Sequence, residues 1–142
     1  MNSINLLAKS IKLNLNNNIK NILNILMKYN GLDWKKYIQY NNSNIYNRNV
    51  VYQDSDFEIV IITWNKNSKS EIHDHCKNGC AFKLLQGNLK EDIYDLKLNK
   101  IESEVILPND ISFINNNIGF HQIINQDVLS VSMHIYSPPN YK

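Results

Sequence analysis

The 142-residue chain holds four histidines, and two of them, His73 and His75, are separated only by Asp74. Strand side chains alternate with period two, so a strand through this stretch projects both imidazoles from one face and makes one edge of a metal site. The pair alone is a weak signal, because two histidines on a strand are often just a solvated face. His121 and His134 lie downstream in segments that also read as strands, so a third ligand is available. His121 follows the turn Asn115-Asn116-Asn117-Ile118-Gly119. After His75 no carboxylate stands where many small barrels supply a fourth ligand, and Cys80 stands there instead. A zinc site of Cys76, Cys80 and the histidines lacks the second cysteine pair that such sites usually use.

Two further strands show polar side chains at one parity. In 45–52 the residues Tyr46, Arg48, Val50 and Tyr52 share a face, and in 128–136 Ser130, Ser132, His134 and Tyr136 share one, opposite Val131, Met133 and Ile135. Polar residues on one side of an otherwise apolar strand point into something wet, either the surface or a ligand cavity inside a barrel. Each also has a bland reading. Arg48 on a strand is ordinarily a surface ion pair, Cys80 is ordinarily a small buried hydrophobe, and Cys76, which no motif claims, is that or a surface residue. Trp64 closes an apolar strand and reads as packing, whereas His134, set between Ser132 and Tyr136, reads as an oriented histidine beside a site.

The elements that would carry these residues follow from periodicity. Leu7, Ala8, Ile11 and Leu15, then Ile19, Ile22, Leu23 and Leu26, fall at helical spacing and predict two amphipathic helices with Asn16-Asn17-Asn18 between them. Asn30-Gly31 predicts a left-handed end to the second, and Asp33 a cap for a short third helix with Trp34, Tyr37 and Ile38 on one face. From Ile45 the pattern changes to short β-rich runs near 45–52, 57–64, 71–75, 80–86, 89–97, 101–106, 111–114, 119–125 and 128–136, which predicts a sandwich or barrel. Turn residues separate them at Gln53-Asp54-Ser55-Asp56, Gln86-Gly87-Asn88, Pro108-Asn109-Asp110 and Asn115-Asn116-Asn117.

The length fits one domain over 1–142, with a helical part over 1–40 and a barrel over 45–136. A formal charge of +2 with scattered lysines offers no footprint for nucleic acid or an anionic membrane, and a small-molecule partner is expected. The opening Met1-Asn2-Ser3-Ile4-Asn5-Leu6-Leu7-Ala8-Lys9 reads as neither a signal peptide nor a span, and a cytoplasmic monomer is expected.

Taken together, His73-Asp74-His75, Cys80 and the run Lys83-Leu84-Leu85-Gln86-Gly87-Asn88-Leu89-Lys90-Glu91 resemble the central motif of the cysteine dioxygenases, small β-barrel enzymes of the cupin superfamily. Tyr46-Asn47-Arg48-Asn49, Trp64, Ile118-Gly119-Phe120-His121 and Ser132-Met133-His134-Ile135-Tyr136-Ser137-Pro138-Pro139 fall in that family's order. The resemblance implies a mainly β cupin with about three short helices packed outside. It implies that His73, His75 and His121 bind Fe(II), that Arg48 and Tyr46 hold a substrate carboxylate, and that Cys80 and Tyr136 can join in a thioether. Ser132, His134 and Tyr136 would form a hydrogen-bonded row beside the iron. The implied reaction adds both atoms of O2 to the thiol of L-cysteine to give cysteine sulfinic acid. Three neutral imidazoles leave a divalent ion uncompensated, which favours a soft anionic ligand such as the substrate thiolate. Alternatives are a dioxygenase of 3-mercaptopropionate, whose members tend to carry Gln in place of Arg48, or a non-catalytic metal- or thiol-binding cupin. Two departures stand out: the loop 65–70 lacks the glycines usual before the metal motif, and longer members continue past the position of Lys142 with a tail that helps cover the pocket.

Overall fold

A computed structural model describes residues 1–40, 45–114 and 119–140. Helix α1 (Ile4–Asn14) is capped by the Ser3 side chain and buries the stripe Ile4, Leu7, Ala8 and Ile11. Asn16 and Asn17 take positive φ in the turn that follows, a region Asn tolerates better than most residues. The Asn18 side chain then caps a 3-10 turn, Ile19–Ile22, which runs into the short helix α2 (Leu23–Lys28). A second 3-10 turn, Asp33–Tyr37, buries Trp34.

Two expectations about these helices are corrected. Neither Asn30 nor Gly31 is left-handed. Gly31 is instead needed for close approach, since a Cβ there would collide with the Asn2 carbonyl. The carbonyls at the end of α2 are satisfied by the buried Lys83, whose Nζ donates to those of Met27 (3.0 Å) and Tyr29 (2.5 Å). Asp33 does not cap its own turn. Its carboxylate reaches back across the chain to accept from the Ile4 amide (2.8 Å) and the Tyr29 hydroxyl (2.5 Å).

Among the described residues eight strands follow: β1 (Tyr46–Gln53), β2 (Glu58–Trp64), β3 (Cys80–Gln86), β4 (Leu89–Tyr94), β5 (Lys100–Ile106), β6 (Ile111–Ile114), β7 (Phe120–Ile124) and β8 (Ser130–Tyr136). They form a five-stranded sheet, β1-β2-β8-β3-β6, and a three-stranded sheet, β5-β4-β7, antiparallel throughout. One side of the larger sheet packs Ile59, Ile61, Ala81, Val131, Met133 and Ile135 against the helices. Its other side turns Val60, Ile62, Trp64, Phe82 and Leu84 toward Leu89, Ile106 and Ile123, forming the barrel interior. Covered on both faces, β2 and β8 are buried along their whole length.

Three strand expectations change. The stretch 71–75 is no strand, and His73 makes only an isolated bridge with His121. Strand β4 ends at Tyr94 rather than 97, because the Asp95 carboxylate accepts from the amides of Lys97 and Asn99 and folds a turn. A bulge between Val50 and Tyr52 reverses the parity of β1, so Tyr52 leaves the face of Tyr46 and Arg48, pairs with Ile59 and packs with the helices. The expected turn Asn115-Asn116-Asn117 lies outside the described residues. Among the described residues no helix is long and apolar enough to cross a membrane.

Candidate active site

The three predicted ligands meet. One ring nitrogen from each of His73, His75 and His121 lies within 4.8 Å of the others, and Nε2 of His73 is 2.8 Å from Nε2 of His121. The backbone does the aligning: His73 and His121 exchange both amide hydrogen bonds, at 3.0 and 3.1 Å, which sets their side chains together. His73 and His75 reach the site from an irregular segment anchored by this bridge rather than from a strand.

The other ring nitrogens determine what the cluster can do. Nδ1 of His73 lies 2.7 Å from the Glu71 carbonyl, which can only accept, so this nitrogen carries the proton. Nδ1 of His121 lies 2.7 Å from Oε2 of Glu91, and Glu91 in turn accepts from the Ser112 hydroxyl at 2.5 Å. Both Nε2 atoms are then bare lone pairs facing each other, an arrangement that a cation between them relieves. Burial, reinforced by the neighbouring histidines, pushes His75 and His121 down to about 3, so both are neutral near pH 7, as metal ligands must be. The donor set fits a divalent metal ion.

Beside this cluster runs a buried hydrogen-bonded row. The Trp64 indole donates to Oγ of Ser132 (2.8 Å), Ser132 lies 2.7 Å from Nε2 of His134, and Nδ1 of His134 lies 3.3 Å from the Tyr136 hydroxyl. An indole only donates, so the Ser132 oxygen accepts from it and its own proton is available to His134. His134 then presents Nδ1–H to the Tyr136 oxygen, and the phenol proton is directed away from His134. Burial holds His134 well below its ordinary value and Tyr136 well above, so both are neutral. Cys80, fully buried, is in direct register with Tyr136 across β3 and β8 and hydrogen-bonds to it.

A cavity of about 120 Å³ joins the two groups, lined among others by Tyr46, Arg48, His73, His121, His134 and Tyr136. Tyr46 packs on Trp64 with ring centroids 4.8 Å apart, and the Arg48 guanidinium sits over the Tyr136 ring at 5.4 Å. Of the nine site residues expected from the sequence, six line this cavity, and His75, Ser132 and Cys80 stand against the lining residues His121, His134 and Tyr136. Trp64 is more than packing, because its N–H sets the polarity of the row. Glu91 received no role from the sequence; its signal was a carboxylate at the parity of Leu89 and Ile93, facing the barrel interior. Cys76 is buried beside the site, its thiol pushed up to about 12 chiefly by burial.

Residues 5–142 match the family described as cysteine dioxygenase type I. Relatives named cysteine dioxygenase type 1 are 33 % identical in Danio rerio, 34 % in Homo sapiens and 36 % in Bos taurus, each alignment covering 86 % of this chain and 66 % of the relative. The chain thus spans about two thirds of the length of these relatives. Among solved structures, a cupin superfamily protein from Desulfitobacterium hafniense superposes with a TM-score of 0.60 at 15 % identity, covering 76 % of this chain and 90 % of that one. KdgF from Halomonas sp. gives 0.61 at 14 %, covering 75 % and 92 %. These likenesses identify the fold as the expected cupin barrel. A match that begins in the first helix and extends past the strand carrying Ser132, His134 and Tyr136 means that the chain belongs to the cysteine dioxygenase type I family, a family of enzymes.

Proposed function

We propose that the protein is an Fe(II)-dependent dioxygenase that converts the thiol of L-cysteine to cysteine sulfinic acid with both atoms of O2. The observation that carries this reading is a cluster of three imidazoles, two of which line the same cavity as a guanidinium and a phenol. His73, His75 and His121 would hold the iron, which supplies positions for the substrate thiolate and for O2. Arg48 would bind the substrate carboxylate through parallel N–H groups, a geometry that lysine does not reproduce, with Tyr46 alongside. This places the substrate sulfur at the histidine cluster. Tyr136, its proton directed away from His134, would donate a hydrogen bond to the reacting group as negative charge develops. Glu91 would keep His121 in the tautomer that presents Nε2 to the metal. The register that pairs Cys80 with Tyr136 across two strands supports the thioether that the family resemblance implies.

The test is metal analysis of anaerobically prepared protein, followed by oxygen uptake with L-cysteine and detection of the sulfinate. Iron-dependent uptake with one O2 consumed per sulfinate is the expected result. A clear preference for 3-mercaptopropionate would overturn the cysteine assignment, and no uptake with any small thiol would favour a binding role.

A further inference from the structure

Glu58 opens β2 on its inward side, at the parity of Val60, Ile62 and Trp64, in register with Gln53 on β1 and Tyr136 on β8. The residue is 2 % exposed, and its Oε1 accepts no hydrogen bond among the described residues. A carboxylate withdrawn from water in this way is costly unless a cation compensates it. Arg48 supplies the cation: its Nη2 lies 3.9 Å from that oxygen, and its side chain, 30 % exposed, borders the cavity. The same guanidinium lies over the Tyr136 ring and hydrogen-bonds its hydroxyl.

We propose that Glu58 is a positioning residue for the substrate carboxylate, acting through Arg48. It sits behind the guanidinium on the buried side and aligns the planar group before substrate arrives. This inference deepens the cysteine dioxygenase reading and rests on Arg48 being the carboxylate clamp. An arginine side chain has much rotamer freedom to lose, and a guanidinium already ordered loses less of it on binding. Five N–H donors exceed what one carboxylate takes, so Glu58 and a substrate carboxylate can be served by one guanidinium. The link from Glu58 to the cavity runs through Arg48, so its effect is expected on ligands that carry a carboxylate.

Two ligands of the iron-loaded enzyme separate this role from a structural one: L-cysteine, and cysteamine, which keeps thiol and amine but has no carboxylate. Glu58→Ala is expected to raise the KM for L-cysteine by about tenfold with little change in kcat, the size of one lost charge-assisted interaction. The inhibition constant of cysteamine against L-cysteine turnover should stay at the wild-type value when corrected for the new KM. Glu58→Gln keeps the shape and an acceptor oxygen without the charge, and should raise the cysteine KM by about threefold; it carries the test if the alanine variant does not fold. An unchanged cysteine KM, or cysteine and cysteamine constants rising together, overturns the proposal. Arg48→Ala is measured in parallel: an unchanged cysteine KM there overturns the clamp itself, which is a different failure from that of Glu58.

Discussion

At the scale of the residue, the partner of one ring nitrogen decides the job of the other in His73 and His121. The Glu71 carbonyl and the Glu91 carboxylate hold protons on the Nδ1 atoms of His73 and His121, which leaves Nε2 of each for a metal. Glu91→Gln replaces that acceptor with an amide and is expected to weaken metal binding by about ten- to a hundredfold, read by competition with a chelator. The KM for L-cysteine at saturating iron should not move. Arg48→Ala should behave in the opposite way, raising the cysteine KM on the order of a hundredfold at unchanged iron content, because the guanidinium lines the cavity but is no member of the ligand cluster. Loss of iron in that variant would contradict the assignment. If Cys80 and Tyr136 couple during turnover, the intact mass falls by about two hydrogens, and Cys80 stops reacting with an alkylating reagent after denaturation.

At the scale of the element, the barrel and the helices are tied by a few buried polar contacts. Lys83 points from the helix-facing side of β3 to the carbonyls that end α2, and burial pulls its ammonium below the usual lysine value. Lys83→Met leaves those acceptors without their donor and should cost about 2 kcal/mol, measured by urea denaturation. The start of β7 is equally constrained. Gly119 has φ +127, and a Cβ there would collide with the Tyr94 carbonyl. Gly119→Ala should therefore shift the strand that carries His121, lowering stability by on the order of 2 kcal/mol and iron affinity with it.

At the scale of the whole molecule, burying neutral imidazoles links the fold to pH and to metal. A histidine in the unfolded chain takes up its proton near 6.5, whereas His75 and His121 in the fold do so only near 3. Between these values the unfolded state binds more protons. Stability of the metal-free protein is thus full above pH 6.5 and falls as the pH drops towards 3, visible as a falling urea midpoint. Iron should add to stability near neutral pH by about 2.7 kcal/mol at a hundred times its Kd, and lose that advantage on acidification as protons compete for the imidazoles.

What the chain declares locally was legible before any fold was seen. The buried stripe of α1 follows from a period of 3.6, and the row Ser132, His134 and Tyr136 follows from a period of two, because both repeats are geometry of a single segment. Arg48 and Tyr46 were readable for the same reason, up to the bulge that turned Tyr52 to the other side. Cooperation between segments was not legible from local periodicity alone. The closeness of His73 to His121 depends on a two-residue bridge rather than a strand, the partner of His121 is a carboxylate 30 residues away, and the cation beside Glu58 comes from a neighbouring strand. Register between strands sets these pairings, and register is decided by how the two sheets and the helices pack, a property of the tertiary structure alone.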